Sequence, residues 1–380
     1  MYDAIVIGGG IVGMSLAYHL VRGGARTLLV DRADAERATD AGAGILTPEG
    51  DERTSDAQFE LTVAANAYYP TLIGQLAEEQ AGDTGYAICG QLNVAVSEDE
   101  VAPFAATRRA EASRQRTGEA AAYAPYDISP DEARQLFPAL APVSHALYYP
   151  RSARVDGRMI NEALRRAAIA RGLETRQASI ERLVVEHGAV AGVDIDGEIC
   201  SAGAMAIAGG AWSPRLGFQL GVQIPVSPQR GQIVHLRLPG ANTGEWPVVG
   251  GFRGHYIVPW PGGRVVVGAT REAGAGFAAH TTAAGIHNVL GEALRVAPGL
   301  AGAEVAELRV GLRPASADGM PILGGVPGVR NAYLATGHGP HGLQLGPYSG
   351  KLMAELMLGG SDGAELAAFG VGRFSDTEAG

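Results

Sequence analysis

Tyr2-Asp3-Ala4-Ile5-Val6-Ile7-Gly8-Gly9-Gly10-Ile11-Val12-Gly13 is an apolar run of strand type that feeds straight into a glycine turn. The next apolar run, Thr27-Leu28-Leu29-Val30, stops at Asp31. Strand, glycine turn, helix, strand and acid, with roughly 20 residues between turn and acid, form the fingerprint of a dinucleotide site. Each residue type has its own physical task. Gly8 permits the tight turn, Gly10 lets backbone approach a pyrophosphate, and Gly13 lets the helix starting at Ile11 and Val12 pack closely on the strand. Asp31 accepts hydrogen bonds from a ribose diol.

The stretch from Ala4 to Val21 is apolar enough to resemble a secretory leader. It lacks a basic leading region and is broken by the glycine triplet and His19, so it reads as strand, turn and helix. No other segment offers about 20 unbroken apolar residues, which argues against a membrane span. At 380 residues, 46% of them hydrophobic, the chain exceeds what one core usually serves, so two domains or an interleaved pair are expected. Forty acidic against 30 basic residues give a formal charge of −10 with no basic block. That balance disfavours nucleic acid and anionic membrane as partners and favours small soluble ligands. Lys351 is the only lysine, so a catalytic lysine would have one candidate. Cys89 and Cys200 are the only cysteines, too few for a disulfide framework or a structural metal site, and they fit a reducing cytoplasm.

Farther along, Asp40-Ala41-Gly42-Ala43-Gly44-Ile45-Leu46-Thr47-Pro48 is a small-residue loop where backbone can press on a flat ligand. Phe59, Leu61, Ala64, Tyr68, Leu72 and Leu76 recur at helical spacing, and the pattern predicts an amphipathic helix over 55–79 broken near Pro70. Gly90 to Val96 alternates like a strand whose Gln91 and Asn93 share one solvated or ligand-facing side. Residues 101–120 read as a solvated helix, Ser129-Pro130-Asp131-Glu132 as a helix start, and Arg158 to Arg171 as a second amphipathic helix. Short strands follow around 180–185 and 190–195, and Ala204 to Ala208 runs into Gly209-Gly210-Ala211-Trp212-Ser213, a return to the first domain. Between Ile224 and Thr270, alternating strands with Gly and Pro turns predict an antiparallel sheet belonging to a second domain. Gly342 to Leu358 can form a closing helix.

In their order these segments resemble the FAD-dependent D-amino-acid oxidase superfamily, most closely its glycine oxidase and D-amino-acid dehydrogenase branch, over nearly the whole chain. The marks are Gly8 to Gly13 with Asp31, the Ala41 to Leu46 loop, Ala208 to Ser213, Pro228-Gln229-Arg230-Gly231-Gln232 and Tyr256-Ile257-Val258-Pro259. Gly311-Leu312-Arg313-Pro314, Asp318-Gly319 with Pro321 through Gly324, and Gly337-His338-Gly339 with Gly342 complete them. The resemblance implies an α/β, two-domain fold: a Rossmann-type FAD-binding domain with a mixed, largely antiparallel-sheet substrate domain. The expected division is 1–85, 146–220 and 308–380 for the discontinuous FAD-binding domain, and 86–145 with 221–307 for the substrate domain. It also implies oxidation of an amino-acid C–N bond by hydride transfer to flavin N5, giving an imine that hydrolyses in water.

Arg313 matches the family's carboxylate-binding arginine, and a planar guanidinium can grip a carboxylate through two parallel hydrogen bonds. Tyr256 matches the family's tyrosine beside it, although a buried strand tyrosine can equally be plain packing. Glycine oxidases usually carry a second arginine in the C-terminal glycine motif, where this chain has Pro340. His341 or Arg271 is a candidate replacement; His341 either contacts substrate or faces solvent as a helix-start histidine. The resemblance further puts Arg32, Ala43, Gly44, Ile45, Gly209, Trp212, Gly337, His338 and Gly339 at the FAD, Ile180 at its adenine, and the amides of Gly342, Leu343 and Gln344 at the flavin's pyrimidine edge. His338 is not nominated as a base. Sarcosine oxidase relatives attach flavin through a cysteine after the Arg-Pro pair, where Ala315 stands here, so FAD is expected to be noncovalent. Those relatives also activate oxygen with a lysine, and none precedes Lys351, which leaves O2 or another electron acceptor open. Glu49, Gln91, Asn93, Arg53 and Arg271 are further candidates for the substrate pocket. Two other readings stand beside amino-acid oxidation: action on a carrier-tethered or nucleic-acid-linked amine, and a non-catalytic FAD-binding protein. A homo-oligomer stays open.

Overall fold

The structure is a computed structural model and describes residues 1–49, 54–114, 118–361 and 363–378. Tyr2–Ile7 forms the central strand of a parallel sheet, pairing on one side with Thr27–Asp31 and on the other with Glu198–Ile207. Glu174–Gln177 extends the first side and Ala332–Thr336 the second, both in parallel register. Ala4, Ile5, Val6 and Ile7 are all buried, the continuous apolar run expected of a strand covered on both faces. Arg182–Glu186 and Ala189–Ile195 form an antiparallel hairpin that pairs with the first half of Glu198–Ile207. Gly8 leaves the central strand at φ +111°, and a Cβ there would sit 2.4 Å from the Ala208 carbonyl oxygen. Only glycine lets the two strand ends approach this closely.

One face of this sheet is covered by helix Ile11–Arg22 and, beyond it, helix Gly342–Met357. These two helices meet through small residues. A Cβ on Gly350 would lie 2.6 Å from the Leu16 nitrogen, and Ser15 Oγ donates to the Pro347 carbonyl at 2.9 Å.

The second sheet runs in the order Glu304–Ser316, Val226–Arg237, Arg264–Gly268, His255–Pro259, Val248–Phe252, Gln91–Ala95, His145–Tyr149, Tyr126–Ile128. Every pairing is antiparallel except Val248–Phe252 with Gln91–Ala95, so the sheet is mixed and largely antiparallel as expected. Side chains alternate across it. Val234, Ile257 and Val267 pack under helix Ala283–Val296, while Ile233, Val258 and Val266 face the other way, toward Ala43 of the dinucleotide-binding lobe. That alternation aims Tyr256 at the first lobe. We propose the same division into lobes as the sequence suggests, with the sheets as guide. Strands His145–Tyr149 and Glu304–Ser316 pair within the second sheet, so the dividing points at 146 and 308 cross strands.

Two local expectations need correction and a third is narrowed. The helix expected to break near Pro70 runs without interruption over Asp56–Glu78. Pro70 lies on the exposed side while Tyr69 and Leu72 are buried, so packing on the inner face outweighs a lost backbone bond of about 3 kcal/mol. The solvated helix spans Glu98–Ser113, started by a Ser97–Glu100 capping box, rather than 101–120. Gln91 and Asn93 do share a side, and their burial removes the solvated one of the two environments expected for it. Among the described residues no helix is long and apolar enough to cross a membrane, and no group of side chains could hold a metal ion.

Replacing Gly350 by valine forces the two helices apart and should lower the stability of the FAD-loaded protein by about 1–3 kcal/mol. A thermal or denaturant melt checks this, and an unchanged midpoint contradicts the packing described.

Candidate active site

A single continuous cleft runs from Asp31, past the glycine turn, to Arg313 and Tyr256 on the second sheet. At its nucleotide end the backbone is bare at Gly8, Gly9 and Gly10. Thr39 Oγ1 accepts the Ile11 N–H at 2.9 Å, and Val12, the next residue on the helix, lines the cleft at the positive end of the helix dipole. Asp31 is held by Arg37, whose Nη2 lies 3.0 Å from Oδ2 and whose Nη1 donates to the Gly9 carbonyl at 3.2 Å. Asn161 donates to the same carbonyl at 3.1 Å, so the turn is fastened from two sides. Arg32 pairs with Asp34 and lies over the Trp212 ring at 5.3 Å. Ala178, Ser179 and Ile180 also line this end.

The middle of the cleft is lined by Ala43, Gly44, Ile45 and the start of helix Gly342–Met357. Gly44 adopts φ +79°, and a Cβ there would overlap the Val155 carbonyl at 1.7 Å, so the loop lies flat against its neighbour. Gln344 Nε2 donates to the Thr47 carbonyl at 2.6 Å, and Thr47 Oγ1 donates to Gln91 Oε1 at 2.6 Å. Gln91 Nε2 in turn bonds Asn93 Oδ1 at 2.9 Å and the Glu49 carboxylate. Glu49 is accessible yet sits in a recess of protein; loss of hydration, with the Glu111 carboxylate second, pushes its carboxyl up to about 7. These polar residues hold the loop and the helix start together. Arg53 lies outside the described residues.

At the far end Arg313 stands opposite Gln229 in the strand register, so Gly231 is its diagonal neighbour on the same face. The guanidinium occupies the space a side chain would take there: a Cβ on Gly231 would be 2.4 Å from Nη1. Nη1 donates to the Thr270 carbonyl at 2.9 Å, and no carboxylate pairs with Arg313 among the described residues. Tyr256 sits opposite Gly268, whose missing side chain makes room for the phenol. Burial raises the Tyr256 pKa above the ordinary tyrosine value, with the adjacent Arg313 charge and hydrogen bond opposing. The phenol therefore stays protonated and can donate. Burial likewise pulls Arg313 below the ordinary arginine value.

Most residues named from the sequence line this cleft, including Gly209, Gly339, Gly342 and Leu343; Gly13, Gly337, His341, Glu49, Gln91 and Asn93 do not. Gly13 lies beneath the turn, where a Cβ would meet the Gly8 carbonyl at 2.0 Å, the close helix–strand packing expected of it. Gly337 turns the chain at φ +74° out of strand Ala332–Thr336. His341 is solvent-accessible at the helix start, its ring bonded to the Gln344 side chain, and loss of hydration lowers its pKa. His338 is buried and neutral, its pKa driven down to about 3 by burial, with Nε2 3.1 Å from Ser349 Oγ and Nδ1 without a partner among the described residues. Arg37, Thr39, Asn161, Arg215 and Gly231 were not anticipated. Arg37 and Thr39 just precede the small-residue loop, and only the tertiary path reveals their hold on the glycine turn.

Bare glycine backbone, two helix N-termini and a ribose-accepting carboxylate along one cleft suit a pyrophosphate, a sugar and the pyrimidine edge of a flavin. The chain belongs to the DAO family of FAD-dependent oxidoreductases, whose model matches residues 3–356. Its similarity to individual proteins extends over almost the whole length. It is 37% identical over 373 residues to the uncharacterized oxidoreductase YurR of Bacillus subtilis, covering 97% of this chain and 98% of that one. The structure of iminodiacetate oxidase (IdaA) from Chelativorans sp. BNC1 matches with a TM-score of 0.89 at 35% identity, covering 97% and 98% of the two chains. Glycine oxidase from Geobacillus kaustophilus matches with a TM-score of 0.87 at 27% identity and the same coverage.

Two substitutions check the site's two ends. Asp31→Ala should weaken FAD binding roughly 10- to 100-fold in a fluorescence titration of the apoprotein, the range for a charged hydrogen-bond acceptor; unchanged affinity contradicts the ribose role. Gly231→Ala should displace the flexible Arg313 head and weaken a simple carboxylate ligand at least about tenfold while the melting temperature holds. A carboxylate that binds as before contradicts the seat described.

Proposed function

We propose that the protein oxidises the C–N bond of a small amino or imino acid, with Arg313 holding the substrate carboxylate and Tyr256 bonding it from the side. One observation carries this reading: a guanidinium with no carboxylate partner among the described residues closes the same cleft that the glycine turn opens. A bidentate grip fixes the α-carbon, which is the positioning the reaction requires. The protonated Tyr256 phenol adds a second donor to the carboxylate. FAD, when bound, supplies the hydride acceptor at N5. The amine reacts in its neutral form: as the α-hydrogen leaves with its electron pair, the nitrogen lone pair forms the C=N bond. The resulting imine is released and hydrolysed by water to a keto compound and an amine.

No side-chain base is assigned. His338 is neutral but buried and committed to Ser349. We assign His341 a positioning part through Gln344 in place of the direct contact expected from sequence. Backbone amides at the start of helix Gly342–Met357 would stabilise negative charge on the reduced ring. Ala315 stands where relatives carry an attaching cysteine, so FAD is held noncovalently. Lys351 pairs with Glu355 at 2.7 Å and does not line the cleft, so oxygen or another acceptor must be used without it. Two free cysteines fit a cytoplasmic setting.

Anaerobic mixing with glycine, sarcosine, D-amino acids and imino acids should bleach the flavin band for at least one class. Arg313→Met should keep the yellow cofactor and lower kcat/KM roughly 10²- to 10³-fold, the scale for losing one partner of a buried charge pair. Silence across the panel favours a non-catalytic flavoprotein and contradicts this reading, as does an Arg313 variant with unchanged kcat/KM.

A further inference from the structure

We propose that the cleft is built for a substrate with two carboxylates, a small amine carrying one acid group for Arg313 and a second for Arg271. The inference rests on the amine-oxidation reading and specifies its substrate class. Arg271 and Arg313 line the same end of the same cleft. They are joined through one short segment: Arg313 Nη1 donates to the carbonyl of Thr270, the residue before Arg271. Each guanidinium has a seat made by a glycine. Gly231 makes room for Arg313, and at Gly254 a Cβ would lie 2.9 Å from Arg271 Nη1, which donates to the Gly254 carbonyl.

Among the described residues neither cation has a carboxylate partner. Glu272, the acid adjacent to Arg271 in the chain, turns away to Arg230 at 2.5 Å, Gln232 at 2.6 Å and Thr270 at 2.7 Å. The acids that line the cleft, Asp31 and Asp34, lie at the nucleotide end and are committed to Arg37 and Arg32. The Arg271 charge is felt at Arg313, at Tyr256 and at His341, which places it within electrostatic reach of all three. Arg271 is exposed at the cleft mouth and its charge acts against that of Arg313, and a single carboxylate satisfies only one bidentate grip. A second anionic group on the ligand relieves the remaining repulsion. A chain of two carboxymethyl arms on one nitrogen has the charge and the compact size this arrangement accepts.

The test uses the FAD-loaded protein and a pair of unreactive ethers, oxydiacetate with two carboxylates and methoxyacetate with one. Affinities are read from perturbation of the flavin spectrum and from thermal shift. Oxydiacetate should bind at least about tenfold more tightly than methoxyacetate, and Arg271→Met should bring the two within roughly threefold by weakening oxydiacetate alone. Arg271→Lys should retain part of the preference, which separates lost charge from a damaged fold. The ratio of kcat/KM for iminodiacetate over sarcosine should fall by the same factor in Arg271→Met. Equal weakening of both ethers means that both arginines clamp one carboxylate, and a wild-type ratio near one means no second subsite; either overturns the proposal. If no amine bleaches the flavin while the ether preference holds and depends on Arg271, the two-anion pocket stands and amine oxidation fails.

Discussion

A guanidinium half-buried in the cleft, with no carboxylate partner among the described residues, is the constraint around which this molecule is arranged. Arg313 loses hydration in the cleft, and its partners there, the Thr270 carbonyl and the Tyr256 phenol, are neutral. Burying a cation without a counter-charge is costly, so the site favours an anionic occupant. The cost is borne by a sheet whose opposite face is packed under helix Ala283–Val296 and whose strands fix the register around residue 313. In the proposed reaction the substrate carboxylate supplies the counter-charge that no described side chain provides.

Missing side chains shape both ends of the cleft. At the nucleotide end, Gly8 and Gly13 let strand, turn and helix come within contact of Ala208 and of each other. At the substrate end, Gly231 and Gly268 open space on the second sheet for Arg313 and Tyr256. Between them the small-residue loop at Gly44 lies against Val155, and the Gln344–Thr47–Gln91 chain of hydrogen bonds ties that loop to the C-terminal helix and to the second sheet. The cofactor-facing and substrate-facing surfaces are therefore parts of one connected framework.

The nucleotide end was legible in the sequence because local residues determine it: strand, glycine turn, helix and acid occupy adjacent positions in the chain. Tyr256 was legible by resemblance, and its face follows from the structure, where Ile257 packs under the helix while Tyr256 and Val258 face the other way. Less was readable where register decides. Gly231 supports Arg313 only because residue 313 pairs with 229, 84 positions away, and no local pattern reveals a diagonal neighbour. For Gln91 and Asn93 alternation left a solvated or a ligand-facing side open, because it identifies a polar side without saying what covers it; Thr47 and Glu49 do. Pro70 misled for a related reason: its local cost is evident in the sequence, whereas the burial of Tyr69 and Leu72 that offsets it is a tertiary fact.

The most direct measurement is a crystal structure of the FAD-loaded protein with a bound carboxylate analogue such as methoxyacetate. The carboxylate should meet the Arg313 guanidinium through two hydrogen bonds of about 2.7–2.9 Å, with the ligand's α-carbon against the flavin. A carboxylate bound elsewhere, or an Arg313 side chain turned onto a protein acid, would contradict the account.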